Sequence, residues 1–304
     1  MKNYVNSIKN LRGEGGIWCV ALRKRSGDPL YKGNTEGFKV IRNSFRYWRA
    51  DPFLFEHDGK TYLFAELFDR LTGKGRIGVA RIKKGGGCGR FRVILKLPFH
   101  LSYPCVFQNG GDIIMIPECG RSGRITAYRC VKFPYKWKEA YVVSGAPGVD
   151  TTPVPAETGE YRGYITTIND KEKYSKNDNL CFIPSPGEKP VLLRENDSVL
   201  RPAGHIKIEG EKIIRPTQDC THGYGCGLVF MQSESFVPGC FKETPILRVA
   251  PSDLSASGSS KLELTGIHTY NSTDNYEVVD LGFTKGITLQ YLIKKTLRHF
   301  GLTD

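Results

Sequence analysis

Three carboxylates, Asp51, Glu118 and Asp150, stand in settings that recur along the chain, and together they could act on a glycosidic bond. Such a bond is made or broken by a carboxylate base or nucleophile working with a protonated carboxyl acid. Asp51 follows Arg49 in "RADPF", Asp150 opens "DTTPV", and Glu118 ends the apolar run "IIMIPE". Partial burial at that run end is expected to raise the Glu118 pKa. Any one of these carboxylates could instead serve folding, by pairing with Arg49, Arg201 or Arg215; it is the group that points to chemistry. Glu66, His100, Ser102, Tyr103, Thr152, Gln218, Asp219 and His268 offer partners for sugar hydroxyls. Arg201 and Arg215 are expected to hold a donor phosphate. Tyr47, Trp48 and Tyr103 could stack on a sugar ring. The histidines show no HxH or HxxxH spacing and the nine cysteines no CxxC, so neither a metal nor a cofactor is expected.

These residues are far apart in sequence, and a repeat brings them into relation. Asp51-Pro52, Tyr103-Pro104, Thr152-Pro153 and Arg201-Pro202 follow one another at intervals of 52, 49 and 49 residues. Each Pro opens an extended stretch, where its missing N–H is tolerated. Each stretch runs into a Gly-containing turn: "EHDGK", "QNGGD", "AETGE" and "KIEGE". Fourteen residues beyond each Pro stand Glu66, Glu118, Thr167 and Pro216. Further strands such as "GRIGVARI" and "GRITAYRCV" follow, so each unit holds about four strands in about 50 residues, the size of a propeller blade. A fifth unit near 266–283 lacks the Pro and is expected to borrow "GGIWCVALRKR" (15–25) as its missing strand. The predicted fold is all-β, a five-bladed β-propeller over 14–284, with an N-terminal extension (1–13) and a short C-terminal amphipathic helix (285–304). In a propeller the first strand of every blade lines the axis, so strand openings and second-strand ends meet at one mouth.

The chain carries a net charge of +13, which calls for an anionic partner. Its basic clusters are short and lack interleaved aromatics, so no nucleic-acid partner is expected. In the tail, Leu289, Ile293, Leu297 and Phe300 share one helical face with Lys294, Lys295 and Arg298 mostly away from it. Segment 286–302 could therefore dock on the propeller or lie on an anionic membrane surface. No apolar run reaches the roughly 20 residues of a membrane span, and the start lacks the apolar core of a secretory signal. The expected location is cytoplasmic, with a peripheral place at the inner face of the membrane as the alternative if the tail binds lipid.

The blocks "RADPFLFEHDGKTYLFAE", "HLSYPCVFQNGGDIIMIPE", "FPYKW", "RPAGHI", "RPTQDC" and "GIHTYN" resemble the N-terminal propeller domain of glucosamine inositolphosphorylceramide transferases and its stand-alone bacterial relatives. That domain is in turn similar to the furanosidase propellers of glycoside hydrolase family 43. In those hydrolases a first-blade Asp is the base, a second Asp tunes the acid, and a Glu is the acid. Asp51 matches the base. Ser102-Tyr103 stands where the hydrolases carry Asp-Pro, and Asp150 rather than Glu opens the third blade. The resemblance implies a carbohydrate or sugar-nucleotide substrate. Three functions remain open: glycosyl transfer in cell-surface polysaccharide or glycolipid synthesis, which leads; glycoside hydrolysis; and glycan binding without catalysis.

Overall fold

The Pro–turn units fold as antiparallel hairpins, each extended outward by two further strands. In the first, Tyr47–His57 pairs with Lys60–Asp69, followed by Lys74–Arg81 and Arg92–Leu95. Asp58 and Gly59 form its turn with φ of 48° and 65°, the left-handed pair that matches strand twist. The computed structural model describes residues 17–156, 161–168, 178–258 and 263–283. Three more four-stranded sheets begin at Ser102–Asn109, Val149–Pro155 and Lys207–Glu209. The fifth runs from Tyr270–Ser272 through Tyr276–Phe283 to Ile17–Lys24 and Phe38–Ile41. The chain is the expected all-β, five-bladed propeller, and Ile17–Lys24, within the expected segment, supplies a strand to the last blade. The C-terminal helix lies outside the described residues. No helix among the described residues is long and apolar enough to cross a membrane.

Ring closure is chemical as well as topological. Ile17–Lys24 pairs along its whole length with Tyr276–Phe283. Behind that seam Arg23 Nε donates to Glu277 Oε2 at 2.7 Å, and the Leu30 N–H donates to Glu277 Oε1 at 2.9 Å. Both side chains are buried, so each charge relies on the other.

The same irregularity recurs in the first strands of blades 1, 2 and 3. Pairing skips one extra residue between Ala50 and Phe53, Ser102 and Cys105, and Val149 and Thr152. The first residue of each bulge is left-handed: Asp51 at φ 49°, Tyr103 at 44° and Asp150 at 52°. Such a conformation costs a non-glycine residue about 1–3 kcal/mol and re-aims its side chain. This corrects the register read from the prolines. Asp150, not Thr152, is the third-blade counterpart of Asp51 and Tyr103, and Pro153 lies two residues further along. In the fourth blade the Gln218 N–H donates to the Arg201 carbonyl at 2.9 Å, so Gln218, not Pro216, faces the strand opening.

Candidate active site

The second strands end on the same rim, and residues at or within three positions of those ends form a ring: Glu66, Glu118, Thr167, Gln218 and Asp280. The first three pair with Ala50, Ser102 and Val149. The Asp280 N–H donates to the Thr269 carbonyl of the fifth blade. Two linked clusters form where this ring meets the bulges.

The first cluster is Asp51, His268 and Asp280. His268 Nε2 stands 3.1 Å from Asp51 Oδ1, and Nδ1 stands 3.0 Å from Asp280 Oδ2, the latter an ion-pair contact without hydrogen-bond alignment. Burial opposes charge on the ring, but the two carboxylates push its pKa up to about 10, so His268 is an imidazolium. Asp280 is saturated: it accepts the backbone N–H groups of Asp51, His268 and Thr269 as well as facing the imidazolium. Asp51 accepts from the Tyr103 N–H at 3.1 Å and the Thr269 hydroxyl at 2.9 Å. With His268, that fills three of about four acceptor positions on the carboxylate and leaves one for a substrate proton. Burial alone would raise the Asp51 pKa, but His268 and these donors hold it below the ordinary carboxylate value. Asp51, His268 and Asp280 also bring ligand atoms within 4.8 Å of one another, a spacing at which a cation could be held. The imidazolium already supplies positive charge at that point.

The second cluster is Asp150, Arg201 and Glu118. Arg201 Nε donates to Asp150 Oδ2, which also accepts from Gln218 Nε2 at 2.9 Å. Arg201 Nη2 reaches Glu118 Oε2 at 3.4 Å. Burial, then repulsion from Asp150, pushes the Glu118 pKa well above its ordinary value despite Arg201, and the Asp51 charge adds to the effect. The surroundings thus push the two carboxyls apart, Asp51 below its ordinary pKa and Glu118 well above it. Glu118 and Arg201 remain partly open to solvent, their side chains 19% and 15% exposed, whereas Asp51 is 7% exposed. At the mouth Glu118 is thus the more accessible carboxyl and Asp51 the more sheltered.

Around these carboxylates stand two aromatics that the sequence reading did not place. Trp18, from the closing strand, lies 4.1 Å from the His268 ring between centroids. Tyr224, from the fourth-blade loop, lies 5.2 Å from His268, and Arg201 stands over its ring at 5.1 Å. A Cβ at Gly266 would lie 2.7 Å from the Trp18 indole, so the absence of a side chain there makes room for the ring.

The remaining candidates divide. Ser102 borders the mouth, paired with Glu118. Glu66 is buried behind Asp51 and faces His100 Nε2 at 3.2 Å; the Gly75 N–H donates to His100 Nδ1. Tyr103 and Thr152 do not reach a sugar through their side chains, because both are fully buried and bonded to each other at 2.9 Å. Arg49 points away from Asp51 to the Arg42 carbonyl and the Phe91 ring. Asp219 is held by Arg248 and by the Thr221 N–H. Arg215 is not a phosphate ligand: both it and Glu243 are fully buried, and they pair through two hydrogen bonds. Trp48 stacks on Phe68 at 4.4 Å rather than on a ligand face, and Tyr47 lies under Arg46.

The imidazolium makes a thermal prediction. A group whose folded pKa is raised contributes stability that is complete below its unfolded pKa, near 6.5, and lost as pH rises toward 10. The melting temperature of the wild type should therefore fall between pH 7 and 10 more steeply than that of His268→Gln. Parallel slopes in the two proteins would count against a charged His268.

A model of the glucosamine inositolphosphorylceramide transferase 1 N-terminal domain matches residues 40–256. Glucosamine inositolphosphorylceramide transferase 1 of Arabidopsis thaliana is 28% identical over 268 residues, which cover 86% of this chain and 33% of that protein. Its counterpart in Oryza sativa subsp. japonica is 29% identical over 205 residues, covering 65% of this chain and 28% of the relative. The chain thus spans about a third of the length of the curated relatives it matches. Among solved structures, the catalytic domain of a Coprinopsis cinerea GH62 alpha-L-arabinofuranosidase superposes with a TM-score of 0.56 at 12% identity, over 89% of this chain and 98% of that one. A thermostable family-43 glycoside hydrolase gives 0.53 at 10% identity, over 80% and 91%. At such identities these two structures establish a common fold and nothing more.

Proposed function

The chain belongs to the glucosamine inositolphosphorylceramide transferase N-terminal family, and on that premise we propose that its axial mouth transfers a sugar to an acceptor hydroxyl in cell-surface glycan or glycolipid synthesis. One observation carries the reading: at one mouth the surroundings hold the Asp51 pKa below its ordinary value and push the Glu118 pKa well above it. Groups whose surroundings push their pKa values apart are matched to base and acid roles. Asp51 takes the proton of the acceptor hydroxyl as its oxygen bonds the anomeric carbon. The bond from that carbon to the leaving phosphate oxygen breaks, and the phosphate departs as an anion that accepts a hydrogen bond from the Glu118 carboxyl without needing its proton. Arg201 and Gln218 fix Asp150, whose charge raises the Glu118 pKa. Trp18 and Tyr224 offer faces for the sugar ring.

Hydrolysis of a glycoside is the second reading, with water in place of the acceptor. The raised Glu118 pKa favours it, because an alcohol leaving group needs a proton that a phosphate does not. Glu118→Gln separates the two. With nucleotide sugars and an added acceptor, the variant should keep most of its rate. With aryl or oligosaccharide glycosides it should lose about 10²–10⁴-fold and recover on a dinitrophenyl glycoside, whose leaving group needs no acid. No turnover by the wild type on either class would leave binding alone and end both readings.

A further inference from the structure

At the opposite end of the axis, where the hairpin turns lie, the five blades line an open cavity of about 350 Å³. Every blade contributes: Glu56 from the first, Phe107 from the second, Tyr161 from the third, His205 and Lys207 from the fourth, and Asp274 from the fifth. The cavity is separated from the carboxylate mouth by a plug. Tyr103 is fully buried on the axis, its hydroxyl bonded to Thr152 Oγ1 at 2.9 Å and accepting the Gly204 N–H at 2.8 Å. Beside it the Asn271 amide ties the Pro52 carbonyl of blade 1 to the His205 N–H of blade 4.

We propose that this cavity is a second ligand site, which binds an uncharged saccharide unit and is independent of the reaction at the mouth. Its size falls at the lower end of ligand pockets, roughly 300–1,000 Å³, which suits one or two sugar rings. Its lining is mixed in sign and in hydrogen-bonding sense. The Lys207 ammonium donates to the Ser272 carbonyl, and among the described residues no carboxylate lies within ion-pair distance of it. Its other donor hydrogens are available to a ligand. The His205 ring adds a neutral wall, its pKa lowered to about 3 by burial and by Lys207. Glu56 and Asp274 add carboxylate acceptors. The Phe107 and Tyr161 rings meet edge to face at 4.8 Å and give the cavity an apolar wall. An anion would meet Glu56 and Asp274, and a cation would meet Lys207. A sugar ring matches instead, with hydroxyls that both donate and accept around its edge and apolar C–H faces above and below.

The test is isothermal titration of the full chain with glucose, galactose, mannose, xylose, arabinose and myo-inositol. At least one is expected to bind in the millimolar range. Lys207→Met and Asp274→Asn should each weaken that binding about tenfold, while Asp51→Asn, at the other mouth, leaves it within about twofold. Lys207→Met keeps the length and shape of the stem, and Asp274 is on an exposed turn, so a folding defect in one variant leaves the other informative. The proposal is overturned if none of the six sugars binds the wild type, if binding survives both cavity variants, or if Asp51→Asn abolishes it. Because Asp51 and Glu118 do not touch this cavity, loss of the transfer reading would leave this result standing, and the reverse.

Discussion

Asp51→Asn is expected to lower turnover about 10³-fold, within the range general bases contribute, with the loss in kcat rather than KM. Asn keeps the shape, but its single carbonyl oxygen can accept from only one of the Tyr103 N–H and the Thr269 hydroxyl, which bind different oxygens of Asp51, and it cannot take a proton. The substitution also removes one of the two carboxylates that charge His268. The variant should therefore be least stable relative to wild type at neutral to alkaline pH, where the imidazolium depends on both partners. Rates measured beside thermal melts at pH 6 keep catalysis and folding apart. A variant that folds and turns over within tenfold of the wild type would remove Asp51 from the chemistry.

Arg215→Met should do the opposite, costing about 3–5 kcal/mol of stability because it strands Glu243 as an uncompensated buried charge. Against the roughly 5–15 kcal/mol that holds a folded domain together, this is a large share. The double substitution Arg215→Met with Glu243→Leu should restore most of it, since both charges are then gone. Urea unfolding gives the free energies, and the KM of the proposed reaction supplies the contrast. A phosphate ligand would raise KM with little change in the unfolding midpoint, and that pattern would restore Arg215 to the site.

What the sequence makes legible here is whatever repeats. The proline openings and Gly turns mark the blades because each hairpin needs the same local conformation, and the mouth follows from their common phase. Asp51 and Glu118 are found this way. The third blade misleads because its proline lies two residues past the bulge, and the bulge is a pairing property that no single residue type announces. Asp280 is missed because the fifth unit lacks the proline marker, although an Asp within the apolar run "EVVDLGF" is the signal that could have found it. Trp18 is invisible to any blade-by-blade reading, since it reaches the site from the other end of the chain. Arg215 reads as a ligand because sequence gives charge but not direction. Its partner Glu243 lies two strands out in the same blade, and the pair is sealed between them.

The seam between Ile17–Lys24 and Tyr276–Phe283 also bears on synthesis. During translation Ile17–Lys24 can pair with Phe38–Ile41 at once, but its other edge waits for Tyr276–Phe283 until the rest of the propeller has been made. Trp18 waits with it, so a nascent or truncated chain lacking the final strand has no complete mouth. Relocating the ends by circular permutation to the Asp58-Gly59 turn would let that strand pair with its neighbour early.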